Sequence, residues 1–583
     1  MKLRVLSCYT LACSLAFVAS QGASGAGSAD SASDIPHLRK QGTATQMIVD
    51  GKPFLMLAGE LANNSATSLD YMKPVWPRLV DSKLNTVLAG VSWGQLEPAE
   101  GKFDFTIVDG VIQEARNHNL HLALLWFASW KNGMSSYPPP WVKKDFERFP
   151  RAQIAEGAAP WPVLTISDVP RVKVTGNLSI ELLSPLSEAN READARAFAA
   201  LMRHVKAVDG NKHTVILIQV ENEVGMQGDS RDRSPAAAQA FAGPVPKELM
   251  DYLQQHKATL IPEFRKVWAA AGFKTSGTWE EVFGKGLTAD EIFMAWHFAR
   301  YVGRVAEAGK AEYPIPMYVN AALPRTSAIG EAAVTGREPG VTGYFAIGGP
   351  MDDVMDIWRA GGPQVDILSP DAYNDFADWC AKNDRSGNPL FIPESRGGAE
   401  GAARMLYAFG RHNAIGYSPM GIDSPGNTGA DLATAYDQVT QLAPLISAHQ
   451  GNGTMSAVLL RGPADSPQKV RVGDYTLEAS FISPRRIAGE PPPSQGNRPA
   501  AVALFIAAGP DEYFAVGSGL TVSFSPNTPG PPLAGLATVE EGAFVKGRWV
   551  AGRRLEGDDS DEGQFLMLGS KKGIQHFTLY RYR

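Results

Sequence analysis

Between Asp34 and about Ser447, short apolar runs alternate with helical patterns of roughly 10 to 25 residues, and no other feature constrains the fold of this chain as strongly. Eight candidate strands can be read. The first turns at Asp50-Gly51, a hairpin signal, and re-enters as Pro53 to Gly59. The others are Thr86–Val91, Leu120–Leu125, Val215–Val220, Ile315–Val319, Val365–Leu368, Leu390–Ile392 and Ala414–Tyr417. Most are apolar on both faces, as parallel strands covered by helices must be. Eight such units predict an α/β fold of the (β/α)8 TIM-barrel kind over 34–448.

The helix expected over Ser187–Val208 places Phe198, Leu201, Met202 and Val205 on one face, with Ser187 as N-cap. Two long stretches, Tyr137–Pro185 and Ala322–Met351, are rich in Pro, Gly and Ala and are expected to shape the barrel mouth. After about Gly451 the rhythm changes to short runs such as Lys469–Val472, Ala501–Ile506, Leu520–Phe524 and His576–Tyr580. Turn residues separate them, so 451–583 is expected to be a C-terminal antiparallel, sandwich-like β domain.

At the other end, Lys2 and Arg4 precede an apolar run from Val5 to Val18 and then small residues, the pattern of a signal peptide over 1–26. The run is shorter than the roughly 20 residues of a spanning helix, so no membrane span is expected in the mature chain. Cys13 as a lipid-attachment site is the alternative reading. Export to the periplasm or the medium follows as an expectation, and after cleavage Cys380 is left without a disulfide partner.

With 55 basic and 61 acidic residues among 583, the net charge of -6 offers no basic face for nucleic acid. Nothing in the pattern sets an oligomeric state.

In a βα barrel the reacting groups stand at the C-terminal strand ends, and two glutamates fall there. Val215–Val220 delivers Glu221, Asn222 and Glu223; Leu390–Ile392 delivers Glu394. Strands four and seven face one another across a barrel mouth. Glycoside hydrolysis needs two such carboxyl groups, one protonating the leaving oxygen and one attacking or activating water. That chemistry requires neither a metal nor an organic cofactor, so none is expected. His297, in an apolar helix, reads as a packing residue, and no Ser/His/Asp arrangement is present.

The run Gln219 to Gly225 (QVENEVG) resembles the acid/base motif of glycoside hydrolase family 35, the retaining β-galactosidases of the barrel clan. Asp50–Gly59, Asn85-Thr86, Trp93–Pro98 and Gly101–Phe105 are similar to the first half of that family's barrel. The resemblance implies Glu223 as acid/base, Glu394 as nucleophile and Asn222 as donor to the sugar 2-hydroxyl, with Glu221 structural. It further implies a carboxyl separation of about 5 to 5.5 Å. Tyr373 is expected to hydrogen-bond the nucleophile, while Trp93, Trp126, Trp130 and Asn320 are candidates to line the site. The chain departs from the family at Val224, where Tyr is usual, and at the end of the third strand, which lacks the usual acidic residue and reads Trp126 to Asn132.

Three functions are compatible with these residues. The first is a β-galactosidase trimming a plant polysaccharide of the xyloglucan type. The second is a barrel-clan hydrolase of another sugar, and the third is a carbohydrate-binding protein with an inert barrel.

Overall fold

A computed structural model describes residues 35–155, 178–322, 329, 346–424, 429–482, 499–569 and 573–583. The leader expected over 1–26 and most of the stretch 322–351 lie outside the described residues.

Eight parallel strands form one sheet: β1 (Met56–Glu60), β2 (Thr86–Ser92), β3 (His121–Phe127), β4 (Val215–Val220), β5 (Met317–Ala321), β6 (Ile367–Pro370), β7 (Phe391–Ser395) and β8 (Gly416–Pro419). They are hydrogen-bonded in the order β6-β5-β4-β3-β2-β1-β8-β7, and Asp371 just after β6 bridges to Glu394 on β7, so the sheet curls toward closure. All eight expected strands are present, displaced by no more than a few residues.

The period of two sorts the side chains of each strand. On β3, Ala123, Leu125 and Phe127 fill the barrel interior, while Leu122, Leu124 and Trp126 point outward to the helices. The interior holds Met56, Ala58, Leu88, Leu217, Tyr318, Ile367 and Phe391, and the ring of Tyr318 meets that of Phe391 edge-on at 5.1 Å. An antiparallel hairpin, Ala44–Val49 and Lys52–Phe54, adds Met47 and Val49 to this cluster. Its turn needs positive φ at two successive residues, which Asp50 (49°) and Gly51 (72°) supply.

The helix after the long connection from β3 is α1 (Glu188–Asp209), capped by the Ser187 hydroxyl, which accepts from Asn190 N–H at 3.2 Å. Between β4 and β5 lies an insertion that the sequence rhythm does not announce: five helices, ending in the 26-residue α2 (Leu287–Glu312). His297 on α2 is half-buried, and desolvation lowers its pKa to about 4, so it is a neutral packing residue. Helix α3 (Gly398–His412) follows β7 and α4 (Gly429–His449) follows β8.

The strands after Gly451 are antiparallel and form a six-stranded and a four-stranded sheet. In the six-stranded sheet, Val458, Leu460, Ala503 and Phe505 face the four-stranded sheet, whereas Ala457, Leu459, Val502, Leu504 and Ile506 join the core shared with the barrel helices. Both faces are covered, which is why Ala501–Ala507 is apolar without alternation. Gly410 on α3 lies so close to Ala457 and Leu504 that a Cβ there would stand 2.7 Å from the Ala457 side chain.

Cys380 is buried and free. Among the described residues no helix is long and apolar enough to cross a membrane.

Candidate active site

The strand ends converge on one buried, acid-rich mouth. Counting in twos from interior apolar residues explains who arrives there: Glu60 follows Met56 and Ala58, Asn320 follows Tyr318, and Asp371 follows Ile367 and Ser369. Glu394 does not obey that count, since it shares parity with the outward-facing Ile392. The β7–β8 register slips between Ile392 and Ser395, and this irregularity turns Glu394 into the mouth.

Beyond β4 the chain leaves strand geometry at once. Glu221 and Glu223 have φ of 62° and 47°, a conformation costing non-glycine residues about 1–3 kcal/mol each. Two anchors hold it. The Glu221 carboxylate accepts from Trp130 N–H (2.8 Å) and Ser129 N–H (3.1 Å), and Glu223 N–H donates to Asn320 Oδ1 (3.0 Å). Gly225 continues the bend with φ of 148°, where a Cβ would collide with Ala346 at 2.4 Å. Glu221 is thus committed to shaping the turn that aims Asn222 and Glu223.

Carboxyl oxygens of Glu223, Asp371 and Glu394 lie within 4.8 Å of one another. Glu394 accepts from Tyr373 Oη at 3.0 Å and, more loosely, from Asn320 Nδ2 (3.4 Å) and Asn222 Nδ2 (3.5 Å). Asn320 Nδ2 also donates to Asp371 at 2.8 Å, and Lys131 Nζ donates to Asn222 Oδ1 at 2.8 Å. The structure therefore brings together Glu223, Glu394, Asn222, Tyr373 and Asn320.

Four carboxyl groups around one ammonium cannot all be ionised away from water. Burial first, and the neighbouring Glu394 second, raise Glu223 to about 7. Burial and then Glu394 push Asp371 and Glu60 well above the usual carboxylate range. For Lys131 burial favours the neutral amine, but Glu394, Glu223 and Glu60 outweigh it and raise its pKa. The Tyr373 phenol is pushed up by burial and then by Glu394, so it stays a proton donor to that carboxylate.

The three tryptophans stand elsewhere, which corrects the expectation that they line the mouth. Trp93, Trp126 and Trp130 are each 0% exposed. Trp126 has the outward parity of β3 and gives its indole N–H to Asp194 on α1 (2.8 Å). Trp130 donates to Leu183 O and packs on Phe298 and Tyr301. Trp93 donates to Glu97 at 2.8 Å, and Glu97 also takes Gly101 N–H, a loop brace. The aromatic groups beside the carboxyls are instead Tyr373, Tyr318 and Phe127, the last with Lys131 Nζ 5.1 Å from its ring centre.

Sequence reasoning did not single out Glu60 or Asp371. Both carry only a weak signal, a lone acid at inward parity just where an apolar strand ends.

The Tyr373 contact yields a direct expectation. Tyr373→Phe deletes one hydrogen bond to a charged acceptor, an interaction whose loss lowers kcat/KM by about 10- to 100-fold with little change in thermal midpoint. Steady-state rates of the purified variant on an aryl glycoside check it; an unchanged rate would mean the phenol only fills space.

Residues 76–157 match the family model of glycoside hydrolase 42, described as Beta-galactosidase, and residues 432–567 match a domain of unknown function, DUF5597. A curated Beta-galactosidase from Xanthomonas manihotis is 27% identical over 192 residues, covering 32% of this chain and 26% of that protein, so the matched stretch spans about a quarter of the relative. Among solved structures, β-galactosidase from Bacillus circulans sp. alkalophilus aligns at 15% identity and a TM-score of 0.40, over 67% of this chain and 56% of that one. The Marinomonas ef1 enzyme aligns at 13% and 0.42, over 67% and 60%. The catalytic domain of a Paenibacillus polymyxa β-amylase aligns at 12% and 0.40, over 64% and 93%. The matched model is that of family 42, where the motifs resemble family 35; both families belong to the same barrel clan. Glu223 and Glu394 lie outside 76–157, so the comparisons assign them no role. Residues 76–157 are thus similar to part of the family 42 β-galactosidase model.

Proposed function

We propose that the protein is a retaining β-galactosidase, with Glu394 as nucleophile and Glu223 as acid/base. One observation carries this reading: the two carboxyls stand within 4.8 Å across the mouth, one raised to about 7 and the other accepting from a tyrosine and two amides. Inverting pairs need about 6.5–9.5 Å to admit water, whereas retaining pairs stand at about 5–5.5 Å.

In the first step Glu394 attacks the anomeric carbon while the Glu223 proton passes to the leaving oxygen, giving a glycosyl ester and a free alcohol. In the second, Glu223, now a carboxylate, takes a proton from water as the water oxygen displaces Glu394. Asn222 and Asn320 present amide N–H groups toward Glu394, where the bound sugar would be held. Lys131 fixes Asn222 so that its oxygen is occupied and its NH2 faces the nucleophile.

The finer assignment is terminal β-D-galactose removed from xyloglucan-type oligosaccharides by an exported enzyme. It rests on the family 35 motifs and on the leader pattern of the first 26 residues. A second sugar, glucose or mannose, is favoured by one observation: the end of β3, Leu125 to Gly133, lacks the acidic residue usual in family 35, so the contacts to the sugar differ.

Proton NMR of the hydrolysis of 4-nitrophenyl β-D-galactoside, beside the β-glucoside and β-mannoside, tests both points. The β anomer appears first if the mechanism retains, and the preferred glycoside names the sugar. First appearance of the α anomer overturns the double displacement.

A further inference from the structure

Glu60 plays no part in the two steps above, yet it is a buried acid, 1% exposed, and neither carboxyl oxygen has a hydrogen-bond partner among the described residues. Its backbone carbonyl is used, accepting from Ile422 N–H at 2.9 Å. Leaving a buried carboxyl unmatched costs several kcal/mol in general, so a fold keeps one where something else completes it.

Its position says what. β1 is separated from the nucleophile strand β7 only by β8, and the charges that act on Glu60 are Glu394, Lys131 and Glu223. The carboxyl therefore looks into the same mouth, on the side between the nucleophile and the loop after β3. A pyranose linked to Glu394 at its anomeric carbon spreads its remaining hydroxyls away from that bond. A carboxyl with two free oxygens matches two neighbouring hydroxyls, each donating one hydrogen bond.

Building on the glycosidase reading, we infer that Glu60 is a substrate-binding residue that accepts hydrogen bonds from adjacent hydroxyls on the edge of the terminal sugar remote from the anomeric carbon. Lys131 balances its charge when the sugar is bound. Such a clamp requires those hydroxyls to be unsubstituted, so it selects chain ends and makes the enzyme exo-acting.

The test compares the wild type with Glu60→Gln on aryl β-galactosides and on their 3-, 4- and 6-deoxy analogues. Glu60→Gln is expected to lower kcat/KM on the parent sugar by about 10- to 100-fold. Deleting the contacted hydroxyls should cost the wild type a similar factor but cost the variant less, because its amide keeps only one acceptor oxygen and no charge. The thermal midpoint should not fall, since the substitution removes an unmatched buried acid. Equal sensitivity of both proteins to every deoxy position overturns the inference, as does an unchanged kcat/KM. A wild type inert on all β-glycosides overturns the glycosidase reading itself, whereas an active wild type, silenced by Glu394→Ala, leaves that reading standing while the deoxy comparison decides on Glu60. Glu60→Leu, which offers no hydrogen-bonding atom, should reproduce the loss.

Discussion

Glu394→Ala abolishes turnover: kcat/KM on 4-nitrophenyl β-D-galactoside falls by on the order of 10⁵-fold, the scale of losing a covalent nucleophile. The expectation comes from the position of Glu394 at the centre of the hydrogen bonds from Tyr373, Asn222 and Asn320. Azide restores part of the rate by entering the space of the missing carboxylate, and the product is then the α-glycosyl azide, because one displacement replaces two. A variant retaining a tenth of the wild-type rate would remove Glu394 from the chemistry. The β-glycosyl azide from this variant would instead exchange the roles of the two glutamates.

Glu223 carries the second large effect. Removing an acid/base group costs about 10²–10⁴-fold, most with alcohols that leave poorly. Azide on Glu223→Ala should give the β-glycosyl azide, since the glycosyl ester still forms. In the wild type, kcat/KM should decline above about pH 7 as Glu223 loses the proton it must donate, and Glu223→Gln should erase that limb. The same titration reaches stability. Glu223 binds its proton more tightly folded than unfolded, so its contribution is present in full below about pH 4.5 and lost as pH rises through about 7. Glu223→Gln should therefore gain on the wild type across that window, by on the order of 3 kcal/mol at pH 8. Denaturant unfolding at pH 4.5 and pH 8 measures it; a constant difference would mean that another carboxyl of the cluster holds the proton.

Much of this site is written locally. An apolar strand followed by Glu-Asn-Glu, and another followed by Pro-Glu, place two acids by chain order, and the loop after β6 carries Tyr373 in the same way. What is not local is parity. In a strand buried on both faces, inward and outward residues are equally apolar, so nothing in Leu122 to Phe127 tells that Trp126 faces α1 while Phe127 faces the barrel. Glu394 shows the limit from the other side: only the register slip in β7 turns it inward, and such a slip is a property of strand pairing. Glu60 and Asp371 escape for a third reason. A lone acid at a strand end means little until its neighbours are known, and those neighbours come from other strands of the barrel, for Glu60 ones far away in the chain.

The glycine contact between α3 and the first strand after Gly451 has an evolutionary consequence. Gly410 presses its backbone against Ala457 and Leu504, and Phe544 N–H donates to Gln441 on α4, so the six-stranded terminal sheet shares one hydrophobic core with the two helices behind β7 and β8. A module attached through a linker can be gained, lost or exchanged among lineages without harm to its host. Here an exchange would strip the cover from the helices that back the nucleophile strand, so the two halves of the chain are constrained to be inherited, and to change, together.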